Sequence, residues 1–141
     1  MAALAAQSLD PDDFEISLLA CSDTRIAALN GAFRAKDTAT NVLSWPAEAL
    51  IPDRPGTHPA LPRQTDTGGR TPLGDVAIAL QTCEREARKH SIDLKNHATH
   101  LILHGCLHLL GFDHETDEDA TVMEGIEIRA LAQLGIGNPY S

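Results

Sequence analysis

The sequence predicts an α+β fold: one domain in which a small mixed β-sheet packs against several helices. Two observations favour this class. Short apolar segments, one of them with period-two patterning, occur together with longer amphipathic segments. In addition, 43% of the 141 residues are hydrophobic, which is enough for a single core. Since the chain has no internal repeat and no low-complexity run, residues 1–141 are interpreted as one domain.

Three segments have the patterning of strands. Residues 14–20 alternate between two faces, the pattern of a half-buried strand, with one face formed by Phe14, Ile16, Leu18 and Ala20. Residues 41–45 and 74–80 are short and apolar, and the second is rich in small and β-branched residues. We expect all three segments to belong to one sheet.

Four segments are predicted to be helices. A serine or an aspartate can cap the first, and Thr116 with Asp119 three residues later resembles the capping box of the last. The third is mostly buried, with histidines as its only polar stripe. The predicted helices cover residues 22–34, 81–90, 96–110 and 116–134.

The segment from about residue 47 to residue 72 is predicted to be a loop. Proline removes backbone donors and glycine adds freedom, and this segment contains Pro52, Pro55, Pro59, Pro62 and the pair Gly68-Gly69. A loop of this length fits a disordered insertion without a role and a substrate-facing flap equally well. Three arginines keep the flap interpretation open: Arg54, Arg63 and Arg70.

The formal net charge of −9 is unevenly distributed. Up to Asp23 there are five acidic residues and no basic one, and from Asp113 onward there are seven acidic residues against Arg129 alone. Between Thr24 and Phe112, ten basic residues outnumber eight acidic ones. A local basic surface is compatible with this balance, but a broad electrostatic grip on RNA or DNA is not supported, and DNA is not expected as a partner.

The cysteines and the apolar segments indicate the compartment. Cys21, Cys83 and Cys106 are odd in number and lack CxxC spacing, which argues against a disulfide framework and against a thiolate zinc site. The first residues lack a basic region, and no later segment has 18 uninterrupted apolar residues. We expect a soluble, unexported, cytoplasmic protein with no membrane partner.

The most informative motif is HGCLHLLGFDH, residues 104–114. His104 and His108 are one helical turn apart and share a face, so their rings can approach the roughly 3.4 Å nitrogen separation of a tetrahedral zinc site. His114 would lie nearly opposite if the helix continued, but Gly111 can end the helix and turn the chain back. The predicted metal ligands are His104, His108 and His114.

Neighbouring residues have less specific interpretations. His97 and His100 share the face of the ligands and could support them from outside, although partly exposed polar positions are favoured. Cys106 projects about 180° away from His104, so it is interpreted as a core residue. Met123 is assigned to the core of the last helix.

Three neutral histidines leave a metal ion at least one open position, where the ion can activate water and polarise a carbonyl or phosphoryl oxygen. Hydrolysis is therefore the natural reaction class. One zinc ion is expected, although the same ligands also suit nickel, copper and iron.

The spacing HxxxHxxGxxH resembles that of zinc peptidases, which indicates a zincin-like domain with a metal-binding helix followed by a turn. The peptidases have a glutamate base where this chain has Gly105, which disfavours their mechanism.

A closer resemblance covers residues from about Thr24 to Leu134. The motif HGCLHLLGFDH, the upstream FRAKDTATNVLSWP, the segment LGDVAIA and the later Met123 and Glu127 together resemble the YbeY family of bacterial-type endoribonucleases and rRNA maturation factors. The departures are modest: Trp45, Phe112, Ala35 and a longer proline-rich loop. The resemblance implies a zinc-dependent, single-strand-preferring endoribonuclease in rRNA maturation and ribosome quality control. Its implied partners are single-stranded RNA, rRNA and, as candidates, the ribosome and ribosomal proteins.

Two residues are candidate catalytic groups. The resemblance carries over Arg34, and an arginine near the metal could hold a phosphate and offset transition-state charge. Without the motif, Arg34 would be interpreted as a solvated cation at a helix end. Asp113 is a candidate general base, or, like Asp75, a hydrogen-bond partner of a ligand; a turn residue bonding its own backbone is an equally good interpretation. Asn41 and Ser44 are candidates for lining the cleft.

Two alternatives to the endoribonuclease remain open. One is a metallohydrolase of another bond, including a peptidase whose base comes from elsewhere. The other is a ribosome-associated assembly factor in which the metal is mainly structural. An open coordination position favours an enzyme, whereas the acidic net charge favours docking to a protein over broad RNA binding.

Overall fold

The computed structural model describes residues 9–10, 13–34, 40–48, 50, 54–62 and 69–140, without the side chains of residues 32–34. The predicted α+β class is confirmed, with helices and a small mixed sheet in the order of the prediction. The strands are β1 (Phe14–Cys21), β2 (Val42–Pro46) and β3 (Thr71–Ala79). The helices are α1 (Asp23–Arg34), α2 (Leu80–Lys89), α3 (Leu94–Leu109) and α4 (Asp117–Gln133).

Strand β3 is the centre of the described sheet, in the order β1-β3-β2. It pairs in parallel with β1 and antiparallel with β2. The predicted loop extends two residues too far, because β3 begins at Thr71 and includes Pro72. Pro72 is tolerated since it lies near the strand start, opposite Glu15, where the register with β1 shifts. The described residues of the predicted loop before Thr71 belong to no helix or strand, and its other residues lie outside the described ranges.

The predicted alternation of burial along β1 is wrong in its second half. Leu18 and Leu19 point to opposite faces, yet their exposed fractions are 51% and 47%. The strand lies at the edge of the described sheet, where β3 is its pairing partner. The alternating pattern correctly indicated a strand, but coverage of its two faces depends on neighbouring elements that a local pattern does not specify.

Local capping determines where several helices begin. Ser22 accepts the backbone N–H of Arg25 through its hydroxyl at 3.2 Å, and Thr116 accepts that of Asp119 at 3.1 Å, as the capping patterns predict. Helix α3 begins two residues earlier than predicted, because the Asp93 side chain accepts the first free backbone N–H groups. Within the described residues, no helix is both long and apolar enough to cross a membrane.

Helix α3 packs directly onto the sheet at Gly105. A Cβ placed on Gly105 would lie 2.8 Å from Cγ1 of Val76 on β3 and 3.3 Å from Cγ2 of Val42 on β2. The missing side chain therefore allows the close approach of helix and sheet. Helix α4 packs against α3, and the main core contains Val76, Leu103, Leu107, Leu109, Met123 and Ile126. Cys106 belongs to the same core, as predicted.

Replacing Gly105 with alanine should destabilise the protein, because the added methyl group forces α3 away from β3. Overpacking of this kind costs about 1–3 kcal/mol, against a gain of about 1 kcal/mol in helix propensity. The matched control is Gly125→Ala on α4, where the nearest atom to the new Cβ is the flexible Arg129 Nη1 at 3.4 Å. Urea denaturation of metal-free protein should show a lower free energy of unfolding for Gly105→Ala only. Equal effects of the two substitutions would contradict the packing account.

Candidate metal centre

Helix α3 places the first two predicted ligands on one face. His104 and His108 are one turn apart, and their Nε2 atoms lie 3.0 Å from each other. The ring centroid of His114 lies 5.1 Å from the centroid of each of the other two rings. One ring nitrogen from each of the three residues can be chosen so that all lie within 4.8 Å of one another. The structure thus brings the three predicted ligands together.

The turn that returns His114 depends on Gly111, as predicted. Gly111 has a φ of +96° just past the end of α3. Its N–H donates to the carbonyl of His108 at 3.0 Å, and the N–H of Phe112 donates to that of Leu107 at 3.1 Å, which is a Schellman motif. A Cβ at Gly111 would lie 1.7 Å from the carbonyl oxygen of Leu50, so the position excludes any side chain.

Hydrogen bonds fix the protonation of two of the rings. His104 Nδ1 lies 2.6 Å from Glu127 Oε1, and His108 Nδ1 lies 2.9 Å from the carbonyl oxygen of Phe112. Because a carboxylate and a carbonyl only accept hydrogen bonds, each Nδ1 carries a proton, which leaves each Nε2 as the atom available to a metal ion. The two Nε2 atoms face the same space. This donor set fits a divalent transition metal ion, whose histidine ligands typically donate their second N–H in this way.

His108 is neutral at physiological pH. Its burial, together with repulsion from His104 and His114, lowers the pKa of His108 from 6.5 to about 4. Weaker opposing effects come from Asp113 and from the bond to Phe112. A neutral imidazole is the form that binds a metal, so this residue is ready to act as a ligand without losing a proton.

Glu127 on α4 is a functional candidate. The family resemblance includes it, but the sequence alone assigned it no role. Its side chain is fully buried, and it accepts hydrogen bonds from His104, from His100 Nε2 at 3.0 Å and from the Tyr140 hydroxyl. Burial alone would raise the pKa of Glu127, but these hydrogen bonds outweigh burial and lower it to about 2. Burial and the adjacent Glu127 raise the pKa of Tyr140, which keeps its phenol a donor.

A signal for Glu127 was present in the sequence. It occupies the apolar stripe of α4, one turn after Met123 and three residues before Ala130, where a carboxylate needs a partner from another element. His100 was favoured as a partly exposed polar residue without a role at the site. The structure shows a half-buried His100 that also contacts Glu127, the hydrogen-bond partner of His104.

A cleft of about 520 Å³ opens in front of the three histidines. Asn41 and Ser44 contribute to its lining, as predicted. Among the described residues that line it there is no lysine or arginine, and the acidic ones are Glu124 and Glu127. The described lining residues are Thr40, Asn41, Val42, Ser44, His104, His108, His114, Ala120, Met123, Glu124, Glu127 and Tyr140.

The remaining candidates are Asp113, Asp75 and Arg34. Asp113 Oδ1 accepts the backbone N–H of His114 at 2.8 Å, which is the turn arrangement. Asp75 lies beside Leu18 and Trp45, on the sheet face opposite to Val76 and α3, and the Nδ1 atoms of His104 and His108 bond other groups. Arg34 is the last residue of α1, and its side chain lies outside the described part of the structure.

The fold and the three histidines define a zincin-like α+β protein with a candidate transition-metal centre. Comparisons with known proteins agree with this class. The solution structure of TM1509 from Thermotoga maritima matches with a TM-score of 0.54 at 19% identity, over 95% of this chain and 77% of that one. At this identity the match shows the fold alone.

Sequence comparisons identify the family. A family model described as Endoribonuclease YbeY matches residues 1–135. The Endoribonuclease YbeY of Ruegeria pomeroyi is 56% identical over 140 residues, which cover 99% of this chain and 84% of the relative. That of Dinoroseobacter shibae is 57% identical over 139 residues, which cover 99% of this chain and 76% of the relative. The chain therefore belongs to the endoribonuclease YbeY family, and the resemblance inferred from its motifs is confirmed.

Acid should destabilise the metal-free protein through His108. The unfolded chain binds a proton at this residue near pH 6.5, whereas the folded protein does so only near pH 4. The free energy of unfolding should therefore fall as the pH decreases from 6.5 to 4. Urea denaturation at a series of pH values should show this decrease in wild type and a flatter profile for His108→Gln. Substitution of the exposed His90 by glutamine should leave the profile unchanged; a profile for His108→Gln identical to wild type would refute the prediction.

Proposed function

We propose that this protein is a metal-dependent endoribonuclease that cleaves single-stranded RNA in rRNA maturation and ribosome quality control in the cytoplasm. Membership of the endoribonuclease YbeY family supports the reaction class. The observation that carries the proposal is the paired orientation of His104 and His108. Their Nε2 atoms converge while both Nδ1 atoms are anchored to acceptors, an arrangement suited to a metal ion.

In this proposal, one zinc ion is bound by His104, His108 and His114, and nickel, copper or iron could occupy the same ligands. When bound, the ion would polarise a phosphoryl oxygen and lower the pKa of the attacking water. The chain contributes the rings of His104 and His108 with their Nδ1 atoms held by acceptors. With three protein ligands and no fourth candidate among the described residues, the site keeps room for the reacting groups.

The reaction is hydrolysis of a phosphodiester bond. The oxygen of water bonds to phosphorus, the bond from phosphorus to the leaving ribose oxygen breaks, and that oxygen leaves with a proton. The phosphate carries negative charge, and the described lining of the cleft has no lysine or arginine to offset it. We infer that a cation from outside the described lining adds to the charge of the metal ion as negative charge develops.

We assign this cation to Arg34. The residue ends α1, and Thr40, six residues further along the chain, already lines the cleft. A guanidinium group can donate two parallel hydrogen bonds to a phosphate and so hold it while charge develops.

Asp113 is assigned to the turn that carries His114, not to proton transfer. Its Oδ1 already accepts the backbone N–H of His114, and Asp113 is not among the described residues that line the cleft. We therefore do not assign Asp113 as the general base.

The peptidase alternative is disfavoured by packing. A glutamate after the first histidine serves as the base in the zinc peptidases that this motif resembles. Here the position is Gly105, and its Cα faces Val76 of the sheet with no room for a side chain. An assembly factor needs no particular residue at position 105, so Gly105 does not distinguish it from a nuclease. An activity experiment is required to separate these two functions.

The test compares cleavage of a single-stranded RNA, a double-stranded RNA and a denatured protein. Wild type, metal-free protein, His114→Ala and Arg34→Glu are assayed, with His90→Ala and Arg25→Glu as matched controls. Single-stranded RNA cleavage should fall at least about 100-fold without metal or without His114, and about 10- to 100-fold in Arg34→Glu. Readdition of zinc should restore the metal-free protein but not His114→Ala.

Each other outcome points to a different conclusion. Equal RNA cleavage by wild type, metal-free protein and His114→Ala would refute the metal-dependent nuclease. Metal-dependent cleavage of the denatured protein alone would identify a peptidase. Metal binding without cleavage of any of the three substrates, together with binding to ribosomes, would favour the assembly factor. Elemental analysis of purified wild type and His114→Ala would identify the ion and check the ligand.

A further inference from the structure

The segment after α4 returns to the candidate metal centre. Gly135 has a φ of +77°, and the N–H of Ile136 donates to the carbonyl of Leu131 at 2.9 Å, so a second Schellman motif ends this helix. Ile136 packs against the main core. The chain then reaches Tyr140, whose ring meets that of His100 edge-on with 5.6 Å between centroids.

Tyr140 and His100 contact the same oxygen of Glu127. The Tyr140 hydroxyl donates to Oε2, and His100 Nε2 lies 3.0 Å from that oxygen. The other oxygen, Oε1, is left for His104 Nδ1 at 2.6 Å. Because the carboxylate is fully buried, its orientation is set by these three groups. A rotation that moved Oε1 away from His104 would break the contacts at Oε2 as well.

We propose that Tyr140 and His100 hold Glu127 in the orientation in which it anchors His104, so that Tyr140 is a positioning residue of the metal centre. This inference rests on the proposed binding of a metal ion by His104, His108 and His114. Tyr140 also lines the cleft, so a residue from the C-terminal segment contributes both to the cleft wall and to ligand orientation. Loss of its hydroxyl should let the His104 ring reorient and so weaken metal binding.

A purely structural role for Tyr140 would have different consequences. In that case the phenol would only tether the C-terminal segment to Glu127. Its removal would lower the stability of the metal-free protein without changing the affinity for metal or the ligand field. The experiment therefore measures metal affinity, ligand field and stability separately.

The variants are Tyr140→Phe, His100→Gln, Glu127→Gln and Glu127→Ala. His97→Gln is the matched control for His100, because His97 lies on the same helix and contacts Glu86 instead of Glu127. Glu118→Gln is the control for Glu127, because Glu118 is an exposed residue of the same helix. Zinc dissociation constants are measured by chelator competition, and absorption spectra of the cobalt-substituted proteins report the ligand field. Unfolding of each metal-free protein is followed by circular dichroism.

Zinc should bind about 10- to 100-fold more weakly to Glu127→Ala, and about 10-fold more weakly to Glu127→Gln, which keeps an acceptor for His104. Tyr140→Phe and His100→Gln should each weaken binding about 3- to 10-fold and alter the cobalt spectrum, while both controls match wild type.

Should Glu127→Ala fail to fold, Tyr140→Phe and Glu127→Gln still test whether Tyr140 positions Glu127. Wild-type affinity and spectrum in Tyr140→Phe would overturn the positioning role, whereas failure of wild type to bind zinc or cobalt would overturn the proposed metal site itself.

Discussion

The contact between helix α3 and strand β3 at Gly105 determines where the candidate ligands lie. Val76 occupies the space that a Cβ at Gly105 would need, so the helix cannot rotate about its axis without losing this contact. Residues 104 and 108 lie together on an adjoining side of the helix, since they are four positions apart. Their rings are thereby directed towards α4 and the cleft. The end of the helix is equally constrained, because Gly111 lies against the backbone of Leu50 and returns the chain towards the same cleft.

The same contact separates this centre from the peptidase motif that it resembles. In a peptidase the residue after the first histidine must reach the reacting water. In this protein that residue faces the sheet, 2.8 Å from Val76 when a Cβ is added. A glutamate introduced here would have to displace the strand before it could act on a substrate. Packing against Val76 thus requires glycine at position 105. The same contact explains why the glutamate base of the peptidases is absent from this position.

Local rules account for what could be predicted from the sequence. The spacing of His104 and His108 and the turn at Gly111 follow from helix periodicity and from the left-handed conformation at a helix end. Glu127 lies 23 residues from His104 on another helix, and Tyr140 lies 13 residues beyond Glu127, so no local period relates them to the ligands. They meet only after α3 and α4 pack. The exposure of Leu18 was missed for a similar reason, because it depends on what covers an edge strand.

The charges of the cleft indicate how the proposed nuclease can bind an anionic polymer. Glu127 is ionised and buried, the described cleft lining contains no lysine or arginine, and the chain as a whole carries a net charge of −9. Electrostatic binding along the length of an RNA would require many contacts between cationic side chains and phosphates, each of which releases counterions. The described lining of the cleft does not provide them. In the proposed function, attraction is therefore concentrated at one phosphate, between the divalent ion proposed at the histidines and the cation assigned to Arg34. Recognition would then depend on the fit of a flexible strand into the cleft, which a rigid duplex does not offer.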